Sequence, residues 1–446
     1  MNRAAATVVS DASLEFFEQQ LAKPLVLSGG AITHVFQVEA TVRVRVGELE
    51  ATGKGAVYLS PLWAWPKSSR TVDERVELLR AICLAAARRI NRLCGVGPAH
   101  PWDLGLHLHA SAVDDWPLLD ASAEYHAARR EFRAALPSDM PELARVLCLS
   151  PFDAALHDAA GAALGCSAMG LYDSSTSIAA ADCWFSDGEA CRRIRQLLRP
   201  TPRRVFPAMF VVSPSDPLES HLDHWILDRR YRRAKLKLMG RDPCADARFV
   251  TTVVRGMRQR GVAAPWLILD ANAAYPNIAA VERLLDVLET DPSTWQAVQY
   301  LEQPLPCEHV DDAARWRRCA ARKAMLIDEG LTSPAALLKA LESGWSGAAL
   351  KTCKGHSFTL LAATLLHVHG GLAALHDLTN PGAAAIQAAC LASWLPTING
   401  LELNSPQFTP DANADWLPRW SPLLDPRDGV HRLPPNLPVG LGGKAR

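Results

Sequence analysis

The sequence predicts an α/β protein: a small α+β unit followed by a closed barrel of parallel strands and helices. Three observations carry this expectation. Between about residues 147 and 403, short apolar strands alternate with amphipathic helices, a rhythm that gives a parallel sheet. Eight such units in roughly 250 residues is the size of a closed β/α barrel. Before them, strands come first and helices after, in separate blocks, as in an α+β unit.

The first region runs to about Pro137. It opens with a helical pattern over Leu14–Leu21 and a turn at Ser28-Gly29-Gly30. Alternation over Val38–Val46 then predicts a half-buried strand, with turns near Gly47 and Gly53. Helices are expected over Val72–Leu93 and Ala121–Leu136. The barrel strands are expected at 206–212, 234–238, 266–270, 298–302, 324–328, 347–351, 372–377 and 400–403. Helices fill the gaps, for example 216–231, 245–260, 279–288 and 358–367. From Ser405 the chain is proline-rich and irregular, and is expected to pack back on the first unit. The expected division is therefore a capping domain over 1–146, completed by 404–446, and a barrel over 147–403.

Formal net charge is +0, so no global field favours nucleic acid or an anionic membrane. No apolar stretch approaches the roughly 20 residues of a spanning helix, and the first residues read as no signal peptide. None of the cysteines forms a C-x-x-C pair, which argues against a disulfide framework or structural zinc and for a reducing, cytoplasmic setting.

The strand ends carry the chemistry. Lys237, Asp270, Glu302, Asp328, Lys351, Asp377 and Glu402 are separated by 33, 32, 26, 23, 26 and 25 residues, one βα unit each time. In a barrel these ends converge on one mouth. Each follows an apolar run, and buried charges are costly unless paired or metal-bound. Asp270, Glu302 and Asp328 offer oxygen ligands suited to Mg²⁺, with open positions for a substrate carboxylate. The lack of Cys or His among them disfavours zinc. Lys235 and Lys237, two apart on a strand, face the same way, and Lys351 comes from the opposite wall. Beside a cation and partly desolvated, a lysine pKa falls, and the amine becomes a usable base.

Taken in order, Lys235-Leu236-Lys237, Asp270-Ala271-Asn272, Glu302-Gln303-Pro304, Asp328-Glu329 and Lys351 resemble the muconate-lactonizing branch of the enolase superfamily, within the mandelate racemase/muconate lactonizing enzyme family. The segment Ser150–Gly165, SPFDAALHDAAGAALG, is similar to the helix that opens the barrel there. The resemblance implies a modified (β/α)₇β barrel with an α+β cap, and a homo-oligomer. It also implies Mg²⁺ on Asp270, Glu302 and Asp328, and an acid/base pair in Lys237 and Lys351. Lys235 would polarise the substrate carboxylate, with Asn272 and Glu329 as supports. Specificity would come from cap loops near Leu25–Thr33 and Leu59–Ser68, where Trp63 and Trp65 hint at a partly apolar lid.

The implied reaction is removal of the proton α to the carboxylate of a small molecule through a metal-stabilised enediolate. Two opposed lysines suit a racemase or epimerase; a cycloisomerase uses the same parts. Two departures keep other readings open. His356 stands where relatives carry a Gly-Gly pair and is expected near the mouth. His376 and Asp377 end strand seven, and with His356 they could protonate the leaving hydroxyl of an acid sugar in a dehydratase. Glu402 resembles the strand-eight glutamate of several superfamily members and would hydrogen-bond the substrate carboxylate or enediolate. A non-catalytic carboxylate-binding homologue is the contrasting class.

Overall fold

Alternating half-buried and exposed residues at the N-terminus build a long hairpin rather than the expected helix. The computed structural model describes residues 3–27, 29–117, 122–172 and 177–443. The expected turn residue Ser28 and helix start Ala121 lie outside these residues. Strand β1 (Thr7–Leu27) pairs antiparallel with β2 (Gly30–Val46), and β2 pairs with β3 (Leu49–Tyr58). The Leu14–Leu21 segment lies inside β1, with Leu14 opposite Ala40 and Phe16 opposite Val38. Ala12, Leu14 and Phe16 face the core while Ser13 and Glu15 face water, a period of two. The long partner strand and the β preference of phenylalanine outweigh a weak helical pattern. Helices α1 (Val72–Ala87), α2 (Pro101–Ala112) and α3 (Ala123–Ala134) follow.

Helix α4 (Glu142–Leu164) carries the Ser150–Gly165 motif as far as Leu164, with Gly165 as its C-cap, and is apolar nearly all round, as a helix buried on every side should be. Residue 146 falls inside it. The cap sheet meets this helix through two glycines. A Cβ on Gly53 would stand 2.2 Å from the Ala159 nitrogen, and one on Gly55 2.1 Å from the Pro151 carbonyl oxygen. Strand β3 therefore lies directly on the helix backbone, over Ala154, Ala155 and Ala159.

The barrel wall is a seven-stranded parallel sheet in sequential order: β4 (Met209–Val212), β5 (Arg233–Lys237), β6 (Trp266–Asp270), β7 (Val298–Glu302), β8 (Ala324–Ile327), β9 (Gly347–Lys351) and β10 (Leu372–His376). The intervening helices include α5 (Pro243–Gln259), α6 (Ile278–Glu289), α7 (Ala313–Arg322), α8 (Pro334–Ser343), α9 (His356–His369) and α10 (Gly382–Trp394). The segment expected as a helix over 216–231 is a short α-helical turn, Leu218–Leu222, continuing into a π-helix, Asp223–Asp228.

The expected eighth strand shrinks to one parallel bridge, Glu402 with His376. A side chain closes the remaining gap. The Gln407 amide donates to the Val211 carbonyl (2.8 Å) and accepts from the Val211 N–H (2.7 Å), taking the place of a neighbouring strand. Inside the barrel, Met209, Ile268, Tyr300, Leu326 and Ala374 form a separate apolar layer. Ile268, Tyr300, Leu326 and Ala374 each lie two residues before Asp270, Glu302, Asp328 or His376, so the charged groups stand on an apolar floor. Among the described residues no helix is long and apolar enough to cross a membrane.

The β3–α4 contact leaves no room for a side chain. Gly55→Val should cost about 1–3 kcal/mol or more through overpacking, read as a lower urea midpoint. An unchanged midpoint would refute the close approach.

Candidate active site

Strand register puts the charges in one ring. Lys237 is level with Asp270, Asp270 with Glu302, and Lys351 with His376. The chain turns into left-handed backbone straight after two of the carboxylates, at Asn272 (φ 46°) and Gln303 (φ 35°). The Gln303 side chain then accepts from the Asp328 N–H at 2.7 Å and the Gly330 N–H at 3.1 Å, fixing the next loop. The D-x-N and E-Q-P motifs thus end strands as well as supply carboxylates.

Asp270, Glu302 and Asp328 are fully buried, and each faces an ammonium. Lys237 Nζ lies 2.6 Å from Asp270, Lys235 Nζ 2.7 Å from Glu302 and 3.1 Å from Asp270, and Lys351 Nζ 2.8 Å from Asp328 and 3.3 Å from Glu302. A fourth lysine, Lys354, donates to the other Asp328 oxygen at 3.0 Å. Lys235 thus bridges Asp270 and Glu302, and Lys351 bridges Glu302 and Asp328. Among the described residues, the His/Cys/Asp/Glu group whose ligand atoms lie within 4.8 Å of one another is Glu302, His376 and Glu402. Its centre already holds a positive charge, since Lys235 Nζ is 2.9 Å from Glu402 and 3.1 Å from His376 Nδ1.

Burial and charge oppose each other throughout this ring. Burial would raise the Glu302 carboxyl, but His376, Lys235 and Lys351 outweigh it and hold it well below the usual range. Burial would likewise raise Glu402, which the charges of Lys235 and His376 instead pull down to about 2. Burial disfavours charge on Lys351, yet Asp328 and Glu302 hold it protonated well above an ordinary lysine. Lys235 behaves alike, beside Glu302, Glu402 and Asp270. The lowered lysine pKa expected beside a cation is therefore absent at Lys235 and Lys351 while these carboxylates face them.

The remaining expected residues divide. Asn272 accepts from Lys237 Nζ (3.1 Å) and donates to Glu329 (2.9 Å), supporting the ring from outside. Glu402 turns to Lys235 and His376. His376 is fully buried, with Nδ1 2.6 Å from Glu402 and Nε2 2.9 Å from the Tyr300 hydroxyl, so both ring nitrogens are engaged inside the barrel. His356 is not at the mouth. Gly355 (φ 104°) turns the chain so that His356 opens α9 with its ring 4.5 Å from that of His157 in α4, and burial lowers its pKa to about 3. Asp377 does line the mouth cavity. It accepts from the Leu378 N–H (2.7 Å) and the Asn380 side chain (3.0 Å), and Asn380 in turn accepts from the Tyr58 N–H of β3 (2.6 Å).

The sequence reading missed Lys354, Tyr300 and Asn380. Tyr300 was findable, being two residues before Glu302 and hence on its face. Both lid tryptophans are packed in the core, and of the two Trp63 also lines the mouth. The mouth cavity is about 30 Å³ and is bordered by Trp63, Lys235, Lys237, Lys351 and Asp377. A cleft of about 610 Å³ adjoins it.

Residues 218–442 match the family described as enolase C-terminal domain-like. No curated protein sequence matches the chain. Solved structures of similar fold include muconate lactonizing enzyme from Pseudomonas fluorescens complexed with muconolactone, at 16% identity and TM-score 0.61, covering 98% of this chain and 96% of that one. The dipeptide epimerase of Enterococcus faecalis, complexed with Mg and L-Leu-L-Tyr, aligns at 14% identity and TM-score 0.61 over 98% and 99%. N-succinyl Arg/Lys racemase from Bacillus cereus aligns at 15% and 0.61 over 98% and 95%.

Asp377 gives a pH signature. Burial raises its carboxyl from 3.8 to about 7 despite the Asn380 and Leu378 donors. The folded state holds this proton more tightly than the unfolded chain does. The group's contribution is thus complete below about pH 4 and lost as pH rises through 7. The stability of the parent protein relative to Asp377→Asn should fall between those limits in urea titrations. A difference that stays constant with pH would refute the raised value.

Proposed function

We propose, from the premise that this chain belongs to the enolase C-terminal domain-like family of the enolase superfamily, that it is an enzyme removing the proton α to a substrate carboxylate, with racemase or epimerase chemistry favoured over cycloisomerisation. One observation carries this reading. Two ammonium groups from opposite walls, Lys237 and Lys351, border the same small cavity.

Asp270, Glu302 and Asp328 fit a magnesium ion by their chemistry: all three are buried carboxylates at strand ends, and neither Glu302 oxygen has a well-directed hydrogen-bond donor. A hard divalent cation prefers such oxygen donors. Bound there, magnesium would supply Lewis-acid stabilisation for the charge that gathers on the substrate carboxylate as the α proton leaves. Lys237 and Lys351 would hold and move that proton at the two faces of the α carbon. Lys235, at the cavity floor, would present positive charge to a carboxylate oxygen. Asn272 and Glu329 would keep Lys237 in position. We also propose the division into a cap of 1–146 with 404–446 and a barrel of 147–403.

Dehydration of an acid sugar is the second reading. Both ring nitrogens of His376 are engaged and His356 lies elsewhere, so its support is Asp377, whose raised carboxyl borders the cavity.

The test is solvent deuterium incorporation into a panel of chiral 2-substituted carboxylic acids, followed by NMR with magnesium present. Lys237→Ala and Lys351→Ala should each slow exchange from one stereoisomer by about 10²-fold or more. Normal exchange in both variants would rule out these roles. Loss of water without α exchange of recovered substrate, abolished in Asp377→Asn, would favour the second reading. Chelation by EDTA should stop exchange, and added Mg²⁺ should restore it; exchange that persists in EDTA would exclude the metal.

A further inference from the structure

The mouth cavity is narrow, about 30 Å³. The carboxylate and α carbon of any acid need several times that space. The adjoining cleft of about 610 Å³ has the space but borders none of the three lysines of the site. Three side chains, Leu27, Trp63 and Asn272, line both cavities and so form the wall between them.

Trp63 is the largest part of that wall. Its indole N–H donates to Glu329 at 2.9 Å, and its ring faces the Lys351 ammonium at 5.0 Å. It belongs to a single-turn helix, Pro61–Ala64, held at its base by Arg75, whose guanidinium donates to the carbonyls of Pro61 and Trp65. The backbone is thus anchored, while the buried indole is held by that hydrogen bond, by core packing and by two cation–π contacts, to Lys351 and, at 5.8 Å, to Lys354. A cation–π contact of this kind is worth on the order of 0.5–2 kcal/mol, well within what a bound ligand can offset. The cleft beyond has a mainly apolar wall, including Leu27, Leu62, Leu143, Met239 and Pro306.

We propose that Trp63 is a movable partition, and that the substrate is a carboxylic acid with an extended apolar substituent. The acid end displaces the indole to reach Lys237 and Lys351, and the substituent lies in the Met239 cleft. This rests on the carboxylate site proposed above. It adds a size and polarity requirement that the strand-end charges alone do not impose. Trp63 acts as a specificity-determining residue, and its displacement ties occupation of the cleft to exposure of Lys351.

The experiment is calorimetric titration of the full chain, in saturating Mg²⁺, with unbranched acids from propanoate to octanoate. Affinity should rise roughly threefold to fourfold per methylene, the gain for burying a CH₂. Octanoate should change the tryptophan fluorescence of the parent protein, and Trp63→Phe should lose most of that change. Met239→Trp, which fills the cleft, should flatten the chain-length gain; Met239→Ala tests the same wall without added bulk and should weaken the gain. Binding of every acid with equal affinity, or an undiminished fluorescence change in Trp63→Phe, would overturn the partition while leaving the carboxylate site standing. Failure of every acid to bind would remove the carboxylate site and the partition with it.

Discussion

Charge balance at the barrel mouth is the constraint on which the rest of the structure depends. Asp270, Glu302, Asp328 and Glu402 are buried there, facing Lys235, Lys237, Lys351 and Lys354. A buried charge left without a partner costs several kcal/mol, so none of these groups can be placed alone. The barrel meets the requirement by register. Strand ends level with one another bring carboxylate and ammonium together, and the apolar floor beneath them leaves water no competing route. The same low dielectric that makes the ring costly to assemble makes each contact within it strong.

The cap is fitted to that ring by close approach and a few directed polar contacts. Gly53 and Gly55 let β3 rest on the backbone of α4, and that sets the height of the cap loops above the mouth. Asn380 then joins the β3 backbone to Asp377, and Trp63 joins the loop after β3 to Glu329. Both contacts end on carboxyls whose ionisation burial has pushed up to about 7. The cap thus touches the mouth where charge is most weakly held, and the strongly paired carboxylates stay out of its reach.

The strand ends were legible because two independent signals agree there: an apolar run and a repeat of one βα unit. Seven expected strands match seven observed ones within a few residues, since parallel strands buried on both faces leave little freedom of register. What was not legible follows from contacts distant in sequence. Leu14–Leu21 is a strand only because β2 extends far enough to pair with it. His356 leaves the mouth because a single left-handed glycine redirects α9, and no periodicity announces that turn. The closing role of Gln407 is invisible for a similar reason, since a side chain there substitutes for a strand. Asp270, Glu302 and Asp328 were found as a ring, but not the sharing of Lys235 and Lys351 between neighbouring carboxylates, which depends on ammonium reach rather than on spacing.

That sharing bears on how a lysine held so firmly as a cation as Lys351 could serve as a base. Lys351 is protonated because Asp328 and Glu302 face it, and a base must first be neutral. Were those carboxylates to spend their charge on a divalent cation, as proposed, the stabilisation of the Lys351 ammonium would fall, while the burial that disfavours its charge would remain. The two effects now opposed would then act in the same direction, toward the free amine. Lys351 would serve as a counter-ion within the ring and, beside a bound cation, as a proton carrier. Lys235 is the exception. Glu402 and His376 are not among the proposed ligands, so its partners there persist, and it would keep its charge in both states. A permanent cation beside a lysine of variable charge suits proton transfer next to a carboxylate: one group would hold the acid in place while the other exchanges its proton.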